Sequence, residues 1–220
     1  MTHPIWPFYD LRVRTPRLEL RYIDDELATE LALLAAKGIH DPGFMPFSIP
    51  WSEVPSPQME RNTLQFYWRC RADLGPAAWN INLATIVDGT VVGTTGLFSH
   101  DYPTLRQFET GSWLGRAHQG QGIGKEMRIA ALHLGFLGLD AQWATTAAWE
   151  DNQPSLGVTT SLGYATIGHR RGARRDQAGL LRTFEMSRAD FESRLQRDDI
   201  TLHGVEACLP LLGLANDQTA

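Results

Sequence analysis

A glycine-rich turn is the segment of this sequence whose residue types and spacing are best suited to chemistry. Residues 111–125 read GSWLGRAHQGQGIGK, with glycine at alternate positions from 120 to 124. The first turn of a helix leaves backbone N–H groups unpaired and carries a partial positive charge, so it can bind phosphate oxygens when no side chain blocks the approach. Further positive charge comes from Arg116, His118, Lys125 and Arg128. The pattern predicts a phosphate-binding turn at the start of a helix.

Two common phosphate-binding loops do not match this spacing. A dinucleotide-binding turn requires G-x-G-x-x-G after the first strand of a parallel unit, whereas the glycines here run G-x-G-x-G. A P-loop requires glycine five residues before Gly124 and Ser or Thr after Lys125, but Gln119 and Glu126 occupy those positions. The turn is therefore either another class of phosphate site or a glycine-rich helix start that binds nothing.

The turn is positioned by a predicted sheet and a predicted helix. Patterns of apolar residues predict strands over 79–87, 91–98 and 108–114, with the hairpin dipeptide Asp88-Gly89 joining the first two, and a helix over 122–137. The later elements are a strand over 143–148, a helix over 154–162, and strands over 164–169 and 180–186. A meander followed by alternating strands and helices indicates an α+β fold with a mixed central sheet flanked by helices.

The beginning of the chain adds one strand and two helices. Leu18–Ile23 alternates like a strand at the edge or start of the sheet, and Asp24 should cap a helix that ends near Gly38. Residues 39–57 are rich in proline and large apolar groups, which predicts an ordered loop before a helix over 58–73.

The tail after Met186 follows a less regular pattern. It predicts a short helix from Arg188 to about Arg197, a small strand or turn near 201–205 and an apolar patch over 207–214. Because exposed apolar patches often mark interfaces, this patch could close the core or form a contact in a homodimer.

Four stretches of the chain together resemble one family of enzymes. Gln119–Gly124 (QGQGIG) is similar to the acyl-CoA pyrophosphate motif Q/R-x-x-G-x-G/A of the GNAT N-acyltransferases. Thr15–Arg21 (TPRLELR) resembles the opening of the branch that contains the RimJ and RimL ribosomal-protein acetyltransferases, and Glu109–Gly115 (ETGSWLG) resembles its fourth strand. Asn152–Ser155 (NQPS) and Leu162–Tyr164 (LGY) resemble its N-x-x-S helix and the entry to the next strand.

The resemblance implies a GNAT fold over residues 1–187, with residues 188–220 as a C-terminal extension packed on the same domain. It further resembles an actinobacterial subgroup described as succinyl-CoA transferases, at His40-Asp-Pro, Met45-Pro-Phe and Pro50-Trp51. The implied co-substrate is acetyl-CoA or another acyl-CoA, with no metal. The residues implied to bind it are Trp113, Leu114, Gly115, Gln119, Gly120, Gln121, Gly122, Ile123, Gly124, Lys125, Asn152 and Ser155.

Glu109 is the candidate general base. An amine must lose a proton to attack a thioester, and a lysine with a pKa of about 10.4 is almost entirely protonated at neutral pH. Glu109 begins the strand implied to face the thioester, although it could equally be an exposed charge at a strand edge. His100 and Asp101, at the end of the preceding strand, are reserve candidates. A backbone N–H of residues 112–114 could stabilise the oxyanion where a bulge opens the ladder.

Ser155 is the candidate hydroxyl group near the leaving thiolate. Many members of the resembled family carry a tyrosine seven residues after the motif asparagine, but Thr159 stands there. Ser155 could contact CoA or be an ordinary polar residue in the first turn of a helix, and Asn152 could cap that helix, bind the pantetheine arm or do both.

The acceptor site has less distinct signals. The apolar loop Ile39–Trp51 is implied to form the wall of the acceptor cleft. The basic segment His169–Arg175 (HRRGARR) is typical of a solvated turn. Its alternative is an anion site for the 3'-phosphate of CoA, an acyl carboxylate or an acidic acceptor, because arginine binds anions in a bidentate manner.

Composition excludes several classes of function. The chain has 220 residues and a net charge of -5, which argues against nucleic acid as a partner. No apolar run could span a bilayer and the N-terminus does not resemble a secretory signal, so we expect a cytoplasmic protein without a membrane partner. The two cysteines, Cys70 and Cys208, lie far apart in the sequence, which argues against a disulfide framework or a zinc site.

Six of the seven tryptophans can be assigned to predicted elements. Trp113 lies on the strand implied to face the thioester, and Trp51 lies in the acceptor loop. Trp149 should end the strand before Asn152. The remaining three, expected in the core, are Trp68, Trp79 and Trp143.

These observations predict an enzyme that transfers an acyl group from CoA to a primary amine, on a small molecule or a peptide. The default group is acetyl, with succinyl as the alternative. Transfer should be direct, because neither cysteine has the surroundings of a nucleophile. The rival hypothesis is a catalytically idle acyl-CoA-binding sensor or scaffold.

Overall fold

The computed structural model describes residues 3–214 and arranges them around one sheet. Its strands are β1 (Arg12–Arg14), β2 (Glu19–Tyr22), β3 (Ala78–Val87), β4 (Thr90–His100), β5 (Gln107–Leu114), β6 (Trp143–Trp149), β7 (Ala165–Arg174), β8 (Gln177–Ser187) and β9 (Thr201–His203). Its α-helices are α1 (Asp25–Ala36), α2 (Gln58–Ala72), α3 (Tyr102–Leu105), α4 (Ile123–His133), α5 (Gln153–Ser161) and α6 (Arg188–Arg194). The strand order is β7-β8-β6-β5-β4-β3-β2-β1-β9.

The sheet is mixed, which confirms the predicted fold class. Strands β3, β4 and β5 pair as an antiparallel meander, while β5 and β6 are parallel. Asp88 and Gly89 both have positive φ angles, 48° and 76°, as the tight turn between β3 and β4 requires. Because β5 and β6 run in the same direction, α4 must return the chain along the sheet between them.

Helices cover the two faces of the sheet unequally. On one face, α1 and α2 bury Leu31 and Tyr67 against β3 and β4. On the other face, α4 runs antiparallel to β5: Gly124 lies near Leu114, and the added Cβ of an alanine at Gly135 would collide with Phe108. After His133 the helix continues as a π-helical turn over Leu134–Gly138. The strands β6, β7 and β8 lie beyond α1 and α2, so that part of their face is available for a site.

Strand β2, the first strand predicted from the sequence, lies farther from the edge of the sheet than predicted. Strand β2 is not at the edge or start, because β1 pairs with it and β9 pairs with β1. Both outer strands have three residues, too few to show an alternating pattern. The order of strands at this edge is therefore set by tertiary contacts.

The basic segment forms a hairpin rather than a turn. Strand β7 extends to Arg174 and pairs with β8 from Ala165 to Arg174, with one bulge at Ile167, and the turn itself contains only Arg175 and Asp176. The prediction failed because a pattern of glycine and charge suggests a loop, whereas cross-strand pairing with β8 holds these residues extended.

Two tryptophans expected in the core lie near the surface. Trp79 is buried as expected, but Trp68 is 45% exposed and Trp143 is 40% exposed. The indole N–H of Trp68 donates to Asp25 Oδ1 at 3.0 Å, so this ring joins α2 to α1 from outside. Trp143 starts β6 on the face that α1 and α2 leave uncovered.

The tail packs on the main core. Phe191 of α6 and two residues of a 3-10 turn, Cys208 and Leu212, belong to the same buried cluster as β3 to β6. The apolar patch of the tail therefore covers the core. Within residues 3–214, no helix has the length and apolar character needed to cross a membrane.

Candidate active site

The glycine-rich turn has the backbone geometry that the sequence predicted. After β5 the chain makes a short 3-10 turn over Arg116–His118 and enters α4 at Ile123. Gly120 and Gly122 have φ angles of 72° and 78°, which side chains disfavour. Within the described chain, no side chain caps α4. The first N–H groups of this helix are therefore available to an anion.

Gln119 holds the turn in place. Its Nε2 donates to the carbonyl oxygens of Ile39, at 2.8 Å, and Leu114, at 2.9 Å. The side chain therefore ties the turn to the end of β5 and to the start of the proline-rich loop. Through these two bonds Gln119 positions the backbone on either side of the turn.

Packing within the protein does not explain every glycine of the motif. An added Cβ at Gly124 would lie 3.7 Å from Leu114, an ordinary contact, and at Gly120 it would meet nothing within 4 Å. At Gly115, by contrast, it would lie 2.7 Å from Leu34. Gly115 is therefore needed for packing, whereas Gly124 leaves space above the helix start that a ligand could use.

The cations near the turn differ in part from those expected. Arg116 pairs with Asp41 at 2.9 Å, and Lys125 is exposed. Arg128 is buried beneath the sheet and adds no charge at the turn surface. Arg17 was not predicted to lie here, but its guanidinium donates to the Gln121 carbonyl oxygen at 3.2 Å. The position of Arg17 before β2 gave no signal, because only the fold brings it to the turn.

Glu109 and His100 line one small cavity. The cavity has a volume of about 150 Å³ and opens on the sheet face beside α1 and α2. Its other lining residues are Phe98, Ser99, Leu105, Gln107 and Thr145. Asp101, the other reserve base, does not line it and instead precedes α3 in a left-handed conformation.

The surroundings of Glu109 suit a general base. Burial raises the pKa of its carboxyl above the ordinary value, while the nearby Arg170 and His100 side chains oppose the rise. A carboxylate with a raised pKa accepts a proton more readily and can still be ionised near neutral pH. Sequence reasoning left Glu109 open as an exposed charge, but its side chain is half-buried.

The strands β5 and β6 separate next to Glu109. Their parallel pairing runs from Gln107 opposite Trp143 to Glu109 opposite Thr145 and goes no further, although both strands continue. The bulge expected in residues 112–114 is absent, because β5 stays in register with β4 through Leu114. The opening in the sheet comes instead from divergence of two parallel strands.

The start of α5 contains the helix cap that was one of the expected roles of Asn152. Asn152 caps the helix, its Oδ1 accepting from the Ser155 N–H at 3.2 Å. Ser155 is half-buried, and Thr159 is fully buried without a hydrogen-bond partner among the described residues. No hydrogen bond joins Asn152 or Ser155 to the glycine turn within residues 3–214. The role of Ser155 in catalysis stays a prediction.

The proline-rich loop and the basic hairpin contact each other. Trp51 packs against Trp113 with ring centroids 5.9 Å apart, which anchors the loop to β5. Arg174 donates to the Met45 carbonyl oxygen at 2.7 Å and lies 4.7 Å from the Trp149 ring centroid. Arg175 forms an ion pair with Glu53. Two residues of the basic segment are therefore engaged within the protein, which makes them poor candidates for a free anion site.

Within residues 3–214, no group of three or more His, Cys, Asp or Glu side chains is arranged to hold a metal ion. Cys208 is buried, and burial raises the pKa of its thiol to about 12.

Comparison with known proteins agrees with this architecture. Residues 17–165 match the family model described as the acetyltransferase (GNAT) domain. That match covers more than half of the chain and contains the glycine turn, Glu109 and the start of α5. The fold and site thus define an acetyltransferase of the GNAT type. The chain belongs to the GNAT acetyltransferase family, as its motifs indicated.

Solved structures show the same fold at low sequence identity. A RimL ribosomal L7/L12 alpha-N-protein acetyltransferase has a TM-score of 0.67 and 16% identity, covering 85% of this chain and 99% of its own. A RimL structure in complex with coenzyme A has a TM-score of 0.64 and 16% identity, covering 79% of this chain and 95% of its own. A GCN5-related N-acetyltransferase from Brucella melitensis has a TM-score of 0.66 and 17% identity, covering 82% of this chain and 80% of its own. These neighbours share the GNAT fold with this chain.

Proposed function

We propose that this protein transfers an acyl group from acyl-CoA directly to a primary amine. The observation that carries the proposal is the course of β5, which leads from Glu109 to the glycine turn while β6 diverges beside it. Five residues of strand separate Glu109 from Leu114, or about 17 Å. An extended pantetheine arm can cover that span, with its pyrophosphate at the turn and its thioester near Glu109.

The proposed roles of the residues follow from this placement. The pyrophosphate binds the N–H groups of Ile123, Gly124 and Lys125, with Arg17 as an additional cation. The amine enters through the cavity beside His100, and Glu109 accepts its proton directly or through water. The N–C bond forms as the C–S bond breaks, and the leaving thiolate takes a proton from solvent or from Ser155. No covalent enzyme intermediate is required.

The proposed acceptor is an amine on a peptide or a small molecule. Neighbours named for ribosomal-protein acetylation favour a protein N-terminus, but their identity to this chain is low. The proline-rich loop, held to β5 by Trp51, is the proposed wall of the acceptor cleft. Since the reaction consumes acyl-CoA, we place the protein in the cytoplasm, where that thioester is made.

The test is a transfer assay with a panel of amines and both acetyl-CoA and succinyl-CoA. The products are read by mass spectrometry, where a gain of about 42 or about 100 daltons identifies the acyl group. We expect wild-type protein to acylate at least one amine class, and Glu109→Gln to be slower with CoA affinity retained. CoA binding without transfer to any amine would instead support the idle binding module.

A further inference from the structure

Arg128 projects from α4 into the opening between β5 and β6. Its side chain is buried, with 4% of the residue exposed. Nη1 lies 3.4 Å from Thr146 Oγ1 on β6, and Nη2 lies 3.4 Å from Ser112 Oγ on β5. Both contacts lie past Glu109 and Thr145, where the two strands no longer pair. The guanidinium therefore spans the divergent part of the sheet from the α4 side.

This buried charge has no anion to balance it among residues 3–214. No carboxylate there lies within ion-pair distance of Arg128, and its Nε has no hydrogen-bond partner. The carboxylate two residues away, Glu126, bonds to Thr15 and pairs with Arg17 instead. The groups that do surround the guanidinium are neutral hydroxyls, including that of Tyr164, which is also buried without a partner in the described chain.

A purely structural role does not account for such a residue. A long arginine that fills space keeps its charged head in water, whereas here the head is the buried part. Burying an unpaired charge is far more costly than burying a methionine or leucine of similar length. The charge is therefore expected to meet an anion brought by a ligand.

The position of Arg128 relative to the glycine turn indicates which part of a bound acyl-CoA it would contact. Gly124 lies next to Leu114, and Arg128 lies next to Ser112, so the helix runs from the turn back toward Glu109. Arg128 is five residues beyond Ile123, or about 7.5 Å along the helix axis. The guanidinium itself reaches farther, to Thr146, whose hydroxyl donates to the Thr110 carbonyl oxygen at 3.0 Å, one residue from Glu109. At that level the ligand presents the thioester end of the uncharged pantetheine arm and the acyl group. An anion there must belong to the acyl group.

Glu109 and Arg128 lie on opposite faces of the sheet. Glu109 and Trp113 point to the α1 and α2 face, while Ser112 and Arg128 meet on the α4 face. An acyl-CoA lying in the opening can therefore receive the amine from the side of Glu109 and direct its acyl tail toward the opposite side.

We propose that Arg128 selects the donor by binding the terminal carboxylate of a dicarboxylic acyl group, such as succinyl-CoA, with Ser112 and Thr146 as neighbouring hydroxyls. The proposal rests on the acyl-CoA site of the proposed function. The tail carboxylate keeps its charge throughout transfer, because the bonds that form and break lie at the thioester carbonyl. A planar guanidinium suits this partner, since it can donate two parallel hydrogen bonds to one carboxylate.

The test compares two donors that have the same chain length and differ in charge. Succinyl-CoA and butyryl-CoA are titrated into the full protein by calorimetry, without an acceptor. We expect wild-type protein to bind succinyl-CoA at least tenfold more tightly, and Arg128→Met to abolish that preference. Arg128→Lys, which keeps a charge, should retain part of it. The matched control Arg69→Met removes an exposed cation of α2 and should keep the wild-type ratio.

Two results would overturn the inference. One is wild-type protein that binds butyryl-CoA as tightly as succinyl-CoA, which needs no variant and holds even if Arg128→Met fails to fold. The other is an equal loss of both affinities in Arg128→Met or Arg128→Lys, which would assign the guanidinium to the shared CoA portion or to the fold. Failure of the proposed function is a different result, namely no binding of any acyl-CoA or no acylated amine.

Discussion

The carboxyl of Glu109 is less stable as an anion in the folded protein than in water. Because burial raises its pKa in the folded state, the folded protein holds this proton more tightly than the unfolded chain does. The contribution of this carboxyl to the free energy of unfolding is therefore fully present at pH values below its pKa in the unfolded chain. It is lost as the pH rises through its higher pKa in the folded protein. A residue that costs stability at neutral pH is typical of a functional site.

We therefore expect Glu109→Gln to raise the melting temperature at pH 7 and to have little effect at the lowest pH at which both proteins fold. Scanning fluorimetry at the two pH values measures the difference. Glu30→Gln, which removes an exposed carboxylate from α1, is the control and should leave both values unchanged. A destabilised Glu109→Gln protein at pH 7 would contradict the interpretation of this site.

The pH profile of transfer gives a second prediction for Glu109. In wild-type protein, kcat/KM should rise with pH, with an acid limb centred above the ordinary carboxyl pKa of about 4.3. Glu109→Gln should lose that limb and lower kcat by roughly 10²- to 10⁴-fold, the usual contribution of a general base. An unchanged acid limb in the variant would assign the base to another group, of which His100 is the nearest candidate.

Substitution of Gly124 should affect CoA binding without reducing the stability of the fold. An alanine there makes only an ordinary contact with Leu114 and replaces a glycine inside a helix, so the free energy of unfolding should stay the same or rise by up to about 1 kcal/mol. Its methyl group should crowd the pyrophosphate and weaken CoA binding by about tenfold or more. Gly157→Ala, at an open position of α5, is the control. Equal CoA affinity in both variants, measured by calorimetry, would refute the phosphate site.

At the scale of elements, the β7–β8 hairpin acts with the proline-rich loop as one unit. Arg174 of β7 donates to the Met45 carbonyl oxygen in the loop. It also lies over the ring of Trp149, at the end of β6, and forms an ion pair with Asp151. Hydrogen bonding by Arg174 lowers the pKa of the Asp151 carboxyl. The proline-rich loop has no α-helix or strand before Gln58, so its conformation depends on its contacts with the hairpin.

Arg174→Ala should release the loop from the hairpin. We expect faster hydrogen exchange over residues 41–53 and a rise of about tenfold in the KM for the acceptor, which corresponds to about 1.4 kcal/mol. Arg171→Ala, from the same strand, should change neither. Unaltered exchange in the Arg174 variant would show that the loop is held by its aromatic contacts alone.

At the scale of the whole molecule, the C-terminal tail shares the core with the sheet. Phe191 is fully buried and stacks on Phe136 with centroids 4.8 Å apart, while β9 extends the sheet beyond β1. The predicted division into residues 1–187 and an extension over 188–220 stays a prediction. Residues 215–220 lie outside the described part of the chain.

Phe191→Ala should lower the free energy of unfolding by about 3–5 kcal/mol, because it leaves a cavity in a shared core. Chemical denaturation measures this loss, and Leu33→Ala, at an exposed position of α1, should cost less than about 0.5 kcal/mol. A protein that ends at Ser187 should likewise fail to fold stably. If it melted at the wild-type temperature, the tail would be an appendage rather than part of the fold.

The sequence alone predicted the elements near the site because their signals are local. The G-x-G-x-G spacing, the Asp88-Gly89 turn, the Asp24 and Asn152 caps and the alternation of β3 to β5 each depend on a few neighbouring residues. The same local patterns carried the resemblance that the family match confirmed. Glu109 could also be selected in this way, although not its burial.

The tertiary structure decided what depends on partners far apart in the chain. Strands β1 and β9 are too short to be recognised until they pair, and β7 stays extended through its basic residues only because β8 lies beside it. Arg17 reaches the glycine turn across the fold. Arg128 looked like a surface cation in the sequence, but the rotation of α4 buries it between two diverging strands. A helix fixes which residues share a face, whereas only packing determines what that face meets.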